Sequence, residues 1–101
     1  MEGKIVMAYA VIRNYKGAGP LIDGLQQRSD EVEQLIRDIP GLVHYVLVRS
    51  DDGGFSVSVY ENQEGAEESV RQARDYVQKN LSEVAVAPEV LQGEAVIHLR
   101  S

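Results

Sequence analysis

At the middle of the chain, Asp51-Asp52-Gly53-Gly54 separates two strand-like runs, Leu42 to Arg49 and Phe55 to Glu61. Residues that tolerate turn backbones, set between runs of β-branched and aromatic residues, predict a tight antiparallel hairpin. What flanks that hairpin sets the architecture. Upstream, Pro20 suits the first position of a helix, and Leu21, Leu25, Val32, Leu35, Ile36 and Ile39 follow at helical spacing. Gly24 weakens the first turns, and Pro40-Gly41 stops the helix. Before it, Lys4 to Arg13 is rich in Ile, Val, Ala and Tyr and predicts a first strand, with Gly17-Ala18-Gly19-Pro20 as the turn. Downstream, Asn62 is placed to cap a second helix whose positive end carries Glu64, Glu67 and Glu68. Ala66, Val70, Ala73, Val77 and Leu81 mark its apolar face, and Glu67 and Arg71 form an expected outer pair. Ala87-Pro88 opens an extended connection, and Glu94 to Arg100 predicts a last strand.

The order is β-α-β-β-α-β, an α+β, ferredoxin-like plan with an antiparallel sheet. A faint internal repeat agrees with it. The stretch from Ala8 to Gly17 aligns with that from Ser56 to Gly65, matching Val, Asn and Gly outright. Each copy is the end of a strand running into a helix. By this alignment Ala8, Ala10 and Ile12 share the face of Ser56, Ser58 and Tyr60. Small side chains on two neighbouring strands leave room for a ligand, or let another layer approach closely.

Two helices cover one face of a four-stranded sheet, and the other face is not polar enough to be left wet. Leu42, His44, Val46 and Val48 alternate with Val43, Tyr45 and Leu47, so the second strand is apolar on both sides. Such a strand is normally buried on both faces. A second copy of the chain is the simplest cover, which predicts a homodimer.

Length and composition narrow the function. At 101 residues the chain is expected to form one domain over 1–101. A net charge of −6 opposes general binding to nucleic acid or to anionic membranes. No cysteine is present, which removes disulfides, thiol catalysis and cysteine-based zinc sites. The apolar run from Ile5 to Ile12 ends at Arg13, far short of a spanning helix. Ala8-Tyr9-Ala10 resembles a cleavage site but lacks the apolar region of an export signal, so the expected location is cytoplasmic.

Candidate chemistry rests on few residues. His44 and His98 are the two histidines, and either could act as a base near neutral pH. Which of His44 and Tyr45 faces Tyr60 depends on the hairpin loop, because a one-residue slip exchanges faces. Arg13 and Arg49 end strands and are placed either to clamp an anion or to sit on a solvated rim. No metal site is expected, because the two histidines have no chelating spacing.

The stretches Pro40-Gly41-Leu42-Val43-His44-Tyr45, Phe55 to Asn62, and Val90-Leu91-Gln92-Gly93-Glu94 resemble the dimeric α+β barrel superfamily. Within it, the chain is most similar to small proteins of the antibiotic-biosynthesis-monooxygenase type. The resemblance covers nearly the whole chain in element order. It implies a homodimer with one small-molecule pocket per subunit, between sheet and helices. It implies further that Tyr60 takes the place of a pocket aromatic; the shared face and the repeat then make Ala10, Ile12, Ser56 and Ser58 the expected lining, with Tyr45 if the hairpin loop has two residues. The catalytic candidates are then Tyr60, His44 and His98. The chain departs from the haem-degrading members in three ways: it has no tryptophan, Ala10 stands where they carry an asparagine, and its second helix has no histidine. The implied activity is a cofactor-independent monooxygenase acting on an aromatic or cyclic molecule, with no cofactor. The alternatives are a small-molecule-binding or stress-related protein without turnover, and a purely structural dimerisation module.

Overall fold

The computed structural model describes residues 8–99. Along them run β1 (Tyr9–Lys16), α1 (Gly19–Gln27), α2 (Ser29–Arg37), β2 (Leu42–Ser50), β3 (Gly53–Tyr60), α3 (Gln63–Asn80), a 3-10 turn (Ser82–Val84) and β4 (Glu89–Glu94). The strands form one antiparallel sheet in the order β2-β3-β1-β4. This is the ferredoxin-like arrangement: α1 and α2 carry the chain across β3 to its far side, and α3 carries it across β1.

The hairpin forms where expected, for a different reason. Ser50 pairs with Gly53, so the loop is Asp51-Asp52 and both glycines belong to β3. Neither takes a positive φ. Glycine is required at 54 by closeness: a Cβ there would lie 2.5 Å from the Val48 carbonyl oxygen and 2.9 Å from Ile22 Cδ1. Gly41 does use a positive φ, +86°, to turn the chain from Pro40 into β2.

Three boundaries differ from expectation. β1 runs past Arg13 to Lys16, because β3 supplies partners as far as Gly53. The expected residues Lys4 to Met7 lie outside the described residues. The single helix expected after Pro20 is two, parted at Arg28 (φ −109°, ψ 30°). This break lets Leu21, Ile22 and Leu25 on one side, and Val32 and Ile36 on the other, all reach the core. The last strand is Glu89–Glu94, not Glu94 to Arg100. Pro88 has no N–H to give a ladder, and pairing with β1 begins directly after it, from Glu89 opposite Asn14 to Glu94 opposite Tyr9. Beyond it, Ala95 donates a hydrogen bond to the Ala8 carbonyl at 2.7 Å. Arg100 lies outside the described residues.

α3 starts as read: the Asn62 side chain accepts from the Gly65 N–H at 2.9 Å. Its surface pairs are shifted by one residue from the expected one. Arg71 bonds Glu68 and reaches Asp75, while Glu67 accepts from Gln63. The Tyr76 hydroxyl donates to Glu31 at 2.6 Å and pins α3 to α2.

All three helices pack on one face of the sheet, where Val11, Tyr15, Leu21, Ile22, Ile36, Ile39, Tyr60 and Ala66 share one core. Alternation along β1 shows the division: Val11, Arg13 and Tyr15 are buried, while Ile12, Asn14 and Lys16 are exposed.

Candidate functional site

The helix-covered face of the sheet is unexpectedly polar. In register across it lie Tyr9, Val11, Arg13 and Tyr15 of β1, then Tyr60, Ser58, Ser56 and Gly54 of β3. Tyr45 of β2 pairs with Ser58 and extends the row. The two-residue loop therefore puts Tyr45, not His44, on the face of Tyr60. A bulge between Leu42 and His44 then brings Leu42, rather than Val43, directly opposite Tyr60.

At the centre is Arg13, a full guanidinium with only 2% of its surface exposed. Its Nη1 donates to Ser69 Oγ of α3 at 3.4 Å, and that hydroxyl in turn donates to the Ala66 carbonyl at 2.6 Å. Its Nε has no hydrogen-bond partner among the described residues, and neither do Ser56 Oγ, Ser58 Oγ or the Tyr60 hydroxyl. Among the described residues no carboxylate forms an ion pair with it. Burying a charge without a counter-charge costs several kcal/mol even after relaxation. Burial pushes the Tyr15 and Tyr45 phenols above their usual range, and the Arg13 charge and hydrogen bonding to it oppose the rise. These tyrosines are thus held as neutral hydroxyl donors beside a fixed cation.

Two openings reach this region. A cavity of about 260 Å³ lies between β1, β4, α3 and the segment that leads into β4. Arg13 and Tyr15 form its polar wall, Val70, Ala73, Val77 and Val90 its apolar ones, and Arg74 stands at its side. A larger groove, about 690 Å³, runs along the edge of β2 under α1 and α2 and includes Tyr45. Tyr60, Ser56 and Ser58 line neither.

The structure thus brings Tyr45, Ser56, Ser58 and Tyr60 onto one face. It places Ala10 and Ile12 on the opposite one, a correction to the reading from the repeat. The inward residue nearest the helix is Tyr15 in β1 and Tyr60 in β3. Tyr15 lies four positions before Gly19 and Tyr60 three before Gln63. That single residue inverts the faces of two otherwise similar strand ends. His44 also belongs to the opposite face, pairing with Val59, and packs edge-to-face on His98 with ring centroids 6.1 Å apart. Neither histidine is near Tyr60's hydroxyl by this placement. Arg49 is a rim residue that ties β2 to α1 through Asp23 at 2.9 Å and Gln26 at 2.7 Å. Among the described residues no three His, Asp or Glu side chains gather as a metal cage.

Arg13 is the residue the sequence reading misplaced, as the end of a strand. The signal was present: Tyr9, Val11, Arg13 and Tyr15 alternate with more outward residues, and an aromatic beyond the arginine continues the inward row.

A helix-backed antiparallel sheet with this strand order is the fold of proteins of the antibiotic-biosynthesis-monooxygenase type. Solved structures bear this out. One is a protein assigned as an antibiotic biosynthesis monooxygenase from Chloroflexus aurantiacus, with TM-score 0.66, 16% identity, and coverage of 92% of this chain and 97% of that one. Another is a monooxygenase from Streptomyces coelicolor in complex with nanaomycin D, with TM-score 0.58, 14% identity, and coverage of 96% and 93%. A heme-degrading protein from Mycobacterium tuberculosis is similar too, with TM-score 0.61, 20% identity, and coverage of 96% and 100%. No family model and no curated protein sequence matches the chain.

Proposed function

We propose that this chain is a monooxygenase-like protein that binds a small aromatic or cyclic molecule between its sheet and helices and, as a catalyst, needs no cofactor. The observation that carries this reading is the polar inner face. Arg13, Tyr15, Tyr45, Ser56, Ser58, Tyr60 and Ser69 occupy ground that a domain of this size normally fills with apolar side chains. The monooxygenase and oxygenase neighbours support the activity. A cofactor-free oxygenase has only to bind an electron-rich substrate, favour its deprotonated form and exclude water. A buried cation with neutral phenols around it supplies the first two. We place the protein in the cytoplasm as a homodimer with one site per subunit; among the described residues no helix is long and apolar enough to cross a membrane.

The test is oxygen uptake by the full chain with a panel of electron-rich phenols, for the wild type and for Tyr60→Phe. An enzyme that uses the phenol loses at least tenfold in kcat/KM with little change in binding. No uptake with any phenol of the panel would remove the catalytic reading. The second reading, a binder without turnover, is favoured by one observation: the Tyr60 hydroxyl is fully buried and lines neither opening. On that reading Tyr60→Phe changes stability and leaves ligand affinity within threefold.

A further inference from the structure

The cavity beside β4 has a chemistry of its own. Its apolar walls are Val70, Ala73 and Val77 of α3, Val90 of β4, and Ala85 of the incoming segment; its polar wall is Arg13 with Tyr15. Arg13 is 98% buried and, among the described residues, its Nε has no hydrogen-bond partner and no carboxylate forms an ion pair with it. We infer that this cavity binds a small monocarboxylic acid whose body is a single ring or a short apolar chain, with the carboxylate on Arg13. The inference names a ligand class for the site proposed above, and rests on that reading in placing a ligand on the inner face.

Three arguments select this ligand. Arg74, the other cation of the lining, pairs with Asp75 at 3.4 Å, so Arg13 is the cavity's one positive charge without a described counter-charge; it calls for one negative charge, and a dianion would overshoot it. A carboxylate matches the planar guanidinium fork and accepts two parallel hydrogen bonds from it. It also arrives ionised at neutral pH, whereas an ordinary phenol, with a pKa of about 10, arrives neutral. Size sets the body. At about 260 Å³ the cavity is smaller than the roughly 300–1,000 Å³ of drug-sized ligand sites, so one ring fits and a polycyclic skeleton does not. Tyr15 lines the same wall, and burial keeps its phenol neutral, so it offers a hydroxyl that can donate to a carboxylate oxygen. Apart from Gln78 and Arg74, the rest of the lining is apolar and would bury the body.

The experiment is isothermal titration of the full chain with benzoate and with benzamide, its neutral counterpart of the same shape. Benzoate is expected to bind at least tenfold more tightly. In Arg13→Met, benzoate affinity is expected to fall at least tenfold while benzamide is unchanged. Equal binding of acid and amide, undiminished benzoate binding in Arg13→Met, or no benzoate binding at all overturns the inference. Should Arg13→Met fail to fold, Ala73→Leu fills the cavity and keeps the charge. It is expected to abolish benzoate binding with an unchanged circular dichroism spectrum, and retained binding in it counts against the site. The two readings fail separately. Oxygen uptake on neutral phenols without acid-over-amide preference sinks the carboxylate site alone. Arg13-dependent benzoate binding without any oxygen uptake sinks the monooxygenase alone.

Discussion

Arg13 is the most informative single residue because its position is hard to justify by stability. Its long side chain lies under α3 with one hydrogen bond to Ser69 and no described counter-charge. Replacing buried charge by an apolar group of similar volume is often stabilising, by about 1–4 kcal/mol. Arg13→Met is therefore expected to raise the stability of the unliganded protein by about that amount, read as a higher denaturation midpoint with an unchanged slope. A drop of similar size would mean that the guanidinium holds its neighbours in place and is structural. The sequence carried part of this. An arginine between Val11 and Tyr15 in an alternating strand belongs to the same face as both. What the sequence could not carry was the parity of β1 against β3. That parity depends on one residue of spacing before each helix, and local patterns do not record it. The same ambiguity moved Ala10 and Ile12 to the wrong side, while Ser56, Ser58 and Tyr60, all on one strand, kept their shared face.

At the scale of elements, two strands each bring a buried phenol to the sheet's inner face. Tyr15 on β1 and Tyr45 on β2 both have phenols raised by burial, with Arg13 opposing. A tyrosine whose folded pKa lies above its unfolded value stabilises the fold fully below the unfolded value of 10.0. That contribution is lost as the pH rises through the folded pKa. Thermal stability is thus expected to hold from neutral pH to about 10 and to fall beyond it, in step with tyrosinate absorbance. The Tyr15→Phe/Tyr45→Phe variant should flatten that fall, and an unchanged alkaline limb would show that neither phenol is coupled to folding. The elements themselves were largely legible. Asn62, Pro20, Pro40-Gly41 and the Asp51-Asp52-Gly53-Gly54 turn are local signals, and each lies at an observed boundary, although the two glycines prove to belong to β3. The break at Arg28 was not legible, because Val32 follows Leu25 by seven residues and continues the helical period straight across it. Nor was the start of β4, since Val90 and Gln92 reveal their role only when β1 lies beside them.

At the scale of the whole molecule, the two sheet faces pose opposite problems. The inner face is covered yet polar; the outer is apolar yet open. Ile12 is 37% exposed, Val46 52% and Leu91 59%, and they come from strands at both edges and the middle of the sheet. Val96, Ile97 and Leu99, all exposed, add apolar surface beyond β4. A patch this broad is unusual on a monomer, and a second copy presenting the same face is the simplest self-complementary cover. We expect a dimer at micromolar concentration by light scattering or native mass spectrometry, and Leu91→Glu should shift it to monomer. A wild-type monomer would show that the face is covered some other way. Alternation along β4 sharpens the test. Leu91 pairs with Ile12 on the outer face, while its neighbour Val90 pairs with Arg13 and lines the cavity. Leu91→Glu should therefore break the dimer and leave benzoate affinity within threefold, whereas Val90→Phe should block benzoate and leave the dimer intact. If both variants lost both properties, the faces would be coupled and the site would be completed only by dimerisation.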